Sequence, residues 1–256
     1  MFAPEEVAEK VVGAGEKKAN LPVFKMILLG MMAGAFIALA GVGATLGGVY
    51  GGKLAAACIF PAGLAMVVIA GSELFTGNNL MIMALFSRRI GFGGLLKNWA
   101  FVFLGNLIGA SLVALFVVLS GVMDANIQTV IATAEAKVSM DFFEAMFRGM
   151  LCNFLVCIAV WMAFAAKTVT GKIVAVFFPV MLFVLCGFEH SVANMYYVPA
   201  GIFSKLLGFG GGEGLTVANM WLNNLIPVTI GNIIGGAFFV SGAYYLSFAK
   251  GKLSKK

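Results

Sequence analysis

Side chains able to do chemistry are few in this sequence, and they gather at two places. The stretch GSELFTGNNL (71–80) carries Glu73, Thr76 and Asn78, and GFEHSVANMY (187–196) carries Glu189, His190 and Asn194. His190 is the sole histidine of 256 residues. Its imidazole can donate a hydrogen bond or pass a proton near neutral pH, chemistry suited to a small weak acid or its anion. A structural bond to a loop carbonyl is the alternative, and the position within an apolar run favours function. Thr76 could hydrogen-bond a substrate, or the imidazole, from across the same site. Asn153 and Asn194 are polar groups within apolar runs that could line that cavity or equally tie helices together. Glu73 and Glu189 would ordinarily suggest cation binding or a proton relay. Beside helix breaks they are expected to bond the backbone N–H groups that the breaks set free. No nucleophile–base set or metal-ligand spacing accompanies these residues, so neither an enzyme nor a bound metal or cofactor is expected. Cys58, Cys152, Cys157 and Cys186 sit inside apolar runs and read as small buried hydrophobes.

The elements that must position these residues are membrane-spanning helices. Of the chain 61% is hydrophobic and 11% charged, and the mean hydropathy is +1.01. A soluble domain of this size would have almost no polar coat. Apolar runs cover about 23–49, 54–86, 99–123, 142–166, 173–203 and 220–248, each long enough to cross a hydrocarbon core of roughly 30 Å. They do not alternate in polarity as barrel strands would. The second run, as one continuous helix, would measure roughly 50 Å. It and the fifth must therefore be interrupted, and each holds one of the two polar clusters.

Charge sets the orientation. With the N-terminus inside, the cytoplasmic segments carry Lys10, Lys17, Lys18, Lys25, Arg88, Arg89, Lys97, Lys167, Lys172, Lys250, Lys252, Lys255 and Lys256, against Lys53, Lys137 and Lys205 outside. Both termini are then cytoplasmic and the site is the inner membrane. The net charge of +6 is scattered between apolar runs, which argues against nucleic acid as a partner. The first twenty residues lack an apolar h-region and a cleavage site, so they are not a signal peptide. Val7, Ala8, Val11 and Val12 share a helical face, consistent with a short amphipathic helix on the membrane surface or, as readily, a frayed terminus. The glycine-rich GFGGGEG (208–214) follows a span rather than a strand and reads as a flexible connector, not a nucleotide loop.

The halves of the chain resemble each other. Gly71, Glu73 and Asn78 match Gly187, Glu189 and Asn194. LKNWAFVFLGNLIGA matches LNNLIPVTIGNIIGG at Asn98/Asn224, Gly105/Gly231, Asn106/Asn232 and Gly109/Gly235, and Phe24/Phe143 and Gly30/Gly149 align more weakly. Three crossings repeat as three crossings, over about 21–123 and 140–248, with 1–20 as a separate amphipathic segment. An odd number of crossings puts the repeats in opposite orientations, with broken helices meeting near the bilayer midplane. The fold expected is an all-α membrane protein forming one transmembrane channel domain.

GSELFTGN, RGMLCNFLVCIAVWMA, GFEHSVANM and NLIPVTIGNIIGG closely resemble the formate/nitrite transporter family, over nearly the whole chain. The resemblance implies a homopentamer in the lipid bilayer whose protomers each hold a pore in an aquaporin-like six-helix fold, although the aquaporin Asn-Pro-Ala signature is absent. It implies a channel for small monovalent weak-acid anions: formate, nitrite or hydrosulfide. It places the family's central histidine on His190, its threonine on Thr76 and its vestibule lysine on Lys137, which concentrates anions at the outer mouth. The hydrophobic constrictions fall on Phe60, Leu64, Leu74, Val156 and Phe183. From the residues alone, Lys137 would be a solvated loop lysine and those five ordinary core. Proton donation from His190 to the anion would cost roughly 4 kcal/mol for an acid about three pKa units below imidazole, comparable to or less than the desolvation avoided. An alternating-access proton/anion symporter on the same repeat is the rival reading.

Overall fold

The computed structural model describes residues 1–250, and among them every regular element is helical. Lys252, Lys255 and Lys256 of the expected basic tail lie outside the described residues. Helix α1 (Pro4–Ala19) opens with Pro4 and two first-turn glutamates and closes with Lys17 and Lys18, charges that complement its dipole. Val7, Ala8, Val11 and Val12 recur at helical spacing and are almost fully buried. They pack with Met83, Ala84, Trp161 and Val240, so the apolar face of α1 is spent on the protein itself. Arg89 holds Glu16 at 2.8 Å, and the Phe2 ring lies beneath the ammonium groups of Lys10 and Lys167.

Helix α2 (Val23–Ile59) is two helices joined by a turn at Gly52, whose φ of 74° and ψ of −177° suit glycine. Gly43 and Gly47 lie against Ile59 and Gly48 against Ala56. Sixteen residues of straight helix would separate Gly43 from Ile59 by about 24 Å, so the chain doubles back here as a hairpin. The descending arm continues into α3 (Pro61–Ala70), which ends at Gly71 in the left-handed conformation, φ 74° and ψ 33°. An irregular stretch leads to a 3-10 turn, Gly77–Met81, and to α4 (Ile82–Phe86). The second crossing is therefore broken at the first polar cluster. Next come α5 (Phe92–Leu119) and the short helix α6 (Ile127–Val138). Helix α7 (Phe142–Ala165) is capped by the Asp141 carboxylate, which accepts from the amides of Phe143 and Glu144.

The fifth crossing breaks the same way. Helix α8 (Val169–Cys186) ends at Gly187 with φ 73° and ψ 32°, within a degree of Gly71. After Phe188 and Glu189 the chain re-enters α9 (Ser191–Leu206), capped by His190. Helix α10 (Val217–Ala249) completes the chain and contains π-helical turns, the longest at Ile234–Gly242. The glycine connector before it is held rather than free. Gln128 donates to the Phe209 carbonyl at 3.1 Å, Lys205 to the Gly212 carbonyl at 2.7 Å, and the Gly212 amide donates to Glu135.

Close glycine contacts fix the crossings. A Cβ on Gly105 or Gly109 would strike the carbonyls of Ile27 and Met31, and one on Gly231 or Gly235 those of Met146 and Met150. Each three-helix half is thereby locked by the same backbone-to-backbone approach, as expected where no hydrophobic force drives helices together in lipid. Large apolar side chains such as Phe116, Phe143, Phe178, Leu182 and Phe238 remain exposed on the outer surface, suited to lipid or to neighbouring protomers.

Candidate functional site

Two cavities sit on either side of a buried centre, and the halves of the chain build them alike. One, about 350 Å³, is lined by Lys18, Glu73 and Asn78 beneath α1, with Leu64 and Leu74 at its inner wall. The other, about 610 Å³, is lined by Lys137, Glu189, Asn194 and His190 beneath α6, with Phe60 and Phe183 at its inner wall. In the first, Lys18 Nζ donates to Glu73 at 2.7 Å, Asn78 donates to Glu73 at 2.7 Å and to Asn98 at 2.8 Å, and Asn98 donates to the Lys18 carbonyl. In the second, Lys137 Nζ donates to both Glu189 oxygens at 2.9 Å. Asn194 donates to Glu189 and to Asn224 at 2.7 Å, and Asn224 donates to the Lys137 carbonyl. Lys18 and Lys137, which hold matching places in the two networks, both lie outside the 21–123 and 140–248 expected for the repeats.

The glutamates do not bond the freed backbone amides as expected. Asn106 and Asn232 do that. Asn106 Oδ1 accepts the Phe75 amide at 2.9 Å while its Nδ2 donates to the carbonyls of Gly30 and Glu73; Asn232 does the same for the Ser191 amide at 3.0 Å and the carbonyls of Gly149 and Glu189. An amide side chain both donates and accepts, so one asparagine satisfies both kinds of orphan backbone group at a break. A carboxylate cannot. Glu73 and Glu189 instead anchor the lysines of α1 and α6, and each lies about 5% exposed. Lys137 is correspondingly no solvated loop lysine. It is in the last turn of α6, ion-paired, with the Tyr197 ring 5.3 Å from its ammonium.

At the centre, Thr76 Oγ1 lies 2.9 Å from His190 Nε2, both residues at most 3% exposed. His190 Nδ1 accepts the Ala193 amide at 3.0 Å, capping α9. That bond occupies the Nδ1 lone pair, so the proton of a neutral ring sits on Nε2 and faces Thr76. Phe183 stacks on the imidazole with centroids 5.9 Å apart and meets Phe60 edge-on at 5.7 Å. Leu64, Leu74 and Val156 are buried; Leu64 and Leu74 border the α1-side cavity, whereas Val156 borders neither. Asn153 is also away from both cavities, its Nδ2 donating to the Asn232 carbonyl at 2.7 Å, the helix-tying role of the two considered. Asn194 borders the α6-side cavity, and its buried Oδ1 has no hydrogen-bond partner among the described residues.

The description "Formate/nitrite transporter" matches residues 5–246, nearly the whole chain and both breaks. This chain belongs to the formate/nitrite transporter family. Its relatives include the transporter YrhG of Bacillus subtilis, 41% identical over 99% of this chain and 96% of that protein. The formate channel FocA of Escherichia coli K12 is 38% identical over 98% of this chain and 95% of its own length. Among solved structures, a pentameric formate channel with formate bound superposes with a TM-score of 0.82 at 35% identity, covering 89% of this chain and 98% of that one. An FNT family ion channel gives 0.85 at 30% identity, covering 94% and 98%. The chain is accordingly a multi-pass membrane protein of a family whose matched members are named as channels and transporters.

Sequence reasoning missed Lys18, counted only as a cytoplasmic charge, and the separate roles of Asn106 and Asn232. A signal existed for the lysine: 119 positions separate Gly30 from Gly149 and likewise Lys18 from Lys137. Extending the repeat upstream at that fixed offset would have paired them.

Proposed function

We propose that the chain is a channel for small monovalent weak-acid anions, formate first among them and nitrite or hydrosulfide by kinship. In this reading it works as a homopentamer in the cytoplasmic membrane, with α1 and both termini inside, each protomer carrying its own path. The repeats are redrawn to start with α1 and with α6, each contributing one vestibule lysine. The observation that carries the reading is the Thr76–His190 pair, in which Nε2–H donates to Thr76 Oγ1 at 2.9 Å and leaves the hydroxyl proton free, at the buried border of one of two cavities that share no lining residue.

An anion leaving either cavity loses its water against Phe60 and Phe183 on one side or Leu64 and Leu74 on the other. Removing a carboxylate from water costs several kcal/mol even after relaxation. The Nε2–H of His190 and the hydroxyl of Thr76 offer replacement hydrogen bonds where water is excluded. Because Nδ1 is held by the Ala193 amide, the ring serves as a fixed hydrogen-bond donor. Handing over the Nε2 proton outright would leave an imidazolate, so the proton is shared with the anion, and a proton arriving with the substrate completes the neutral species. Lys18 and Lys137 are ion-paired and act through directed N–H groups at the cavity walls more than as free charges steering at long range.

Proteoliposome flux with formate, nitrite, hydrosulfide, chloride and lactate tests this. Weak-acid anions of triatomic size or smaller should pass and chloride and lactate should not, with unitary conductance steps in planar bilayers. Equal passage of chloride would refute the role of the central donors, and flux without unitary steps would favour the symporter.

A further inference from the structure

Thr76 depends on more than its own segment for its place beside His190. In an α-helix its carbonyl would accept the amide four residues on. In the 3-10 turn it receives only the Asn79 amide, at 3.4 Å, a long bond. The second break has no such deficit, because α9 is regular from Ser191.

Helix α7 supplies the missing donor. Cys157 Sγ lies 3.5 Å from the Thr76 carbonyl oxygen and 3.8 Å from Asn153 Oδ1. Asn153 is itself fixed by donating to the Asn232 carbonyl, and Asn232 holds the Ser191 amide next to His190. Cys157, Asn153, Asn232 and Thr76 are all fully buried. Gly236 of α10 leaves the room, since a Cβ there would lie 2.7 Å from Cys157 Sγ. The thiol has one hydrogen and two acceptors within reach, and the Thr76 carbonyl is the nearer. The 119-residue offset that relates the first and fourth crossings puts Gly34 and Ala38 where Asn153 and Cys157 stand. Neither can form such a bond, so the thiol hook exists only behind the irregular break.

We propose that Cys157 is a positioning residue: its thiol donates to the Thr76 carbonyl, the nearer of its two acceptors, and so holds the Thr76 hydroxyl against His190 Nε2. This rests on the reading of the Thr76–His190 pair as the centre of the path. A simple packing role would be met by any side chain of similar size, whereas a donor role is met by serine and not by valine.

The sole histidine makes the test direct. Full-length protein labelled with 15N-histidine and held in nanodiscs gives one imidazole to observe, the reporter of the Thr76 contact. Cys157→Val should move the Nε2 signal and lower formate flux about fivefold, the worth of one ordinary hydrogen bond. Cys157→Ser should keep the wild-type signal and stay within about twofold in flux. Cys157→Ala, which removes the donor without adding bulk, reads the same loss if the valine variant does not assemble. Valine, alanine and serine variants all sharing the wild-type imidazole spectrum, or all shifting alike, would overturn the proposal. The ring signal is read whether or not formate crosses, so absence of wild-type flux would strike the channel reading and leave the thiol result standing.

Discussion

Replacing Lys137 with alanine should do more than remove an attractive charge from the α6-side cavity. The ammonium is held by both Glu189 oxygens at 2.9 Å, with side-chain exposures of 15% and 6%. Alanine leaves Glu189 a buried carboxylate whose remaining side-chain donor is Asn194. Removing one partner of a buried pair costs about 3 to 5 kcal/mol; the partial exposure of Lys137 puts the expected loss near the lower bound. The uncompensated carboxylate also faces the cavity that an anion must cross, so flux should fall at least tenfold if about 1.4 kcal/mol of that penalty appears as repulsion. Neutralising the stranded group should recover much of both losses: Lys137→Ala with Glu189→Gln keeps an acceptor for Asn194 and removes the lone charge. Thermal unfolding and formate flux of the four proteins in the cycle give the coupling, expected to exceed about 1 kcal/mol. A freely steering lysine would make the loss vanish in high salt. Additive effects of the two substitutions, together with a loss abolished by salt, would refute the ion-paired reading.

Phe183→Ala should destabilise the protomer by about 3 to 5 kcal/mol, because the ring packs on both His190 and Phe60. Folded variant should leak larger solutes such as lactate, as read by thermal shift and liposome flux; unfolding without leak would make Phe183 core alone. His190→Asn should assemble, since asparagine caps helices well, but it should lose the preference for formate over chloride, measured by paired flux; unchanged selectivity in a folded variant would refute the central donor. Gly235→Ala should abolish assembly, because its Cβ meets the Met150 carbonyl with no room to yield; size-exclusion chromatography in detergent checks this, and a normal profile would refute the locked crossing.

Much of this molecule is written locally. Runs of apolar residues fix which segments enter the membrane, and a polar cluster inside an overlong run marks each broken crossing. Gly71 and Gly187 adopt the left-handed conformation that ends α3 and α8, and His190 stands at one of the breaks. These features depend on residue type and short spacing, which a sequence displays. Partnerships across the fold do not. Hydropathy places α1 at a membrane surface as easily as on the protein, and only packing against α4 and α7 turns Lys18 onto Glu73. Carboxylates beside a break look like backbone acceptors until Asn106 and Asn232, more than thirty residues away along the chain, are found already on those amides. Cys157 reads as one more small hydrophobe, because its bond to Thr76 spans 81 positions. Such contacts are set by which helices the close glycine crossings bring together, and that choice belongs to the tertiary structure.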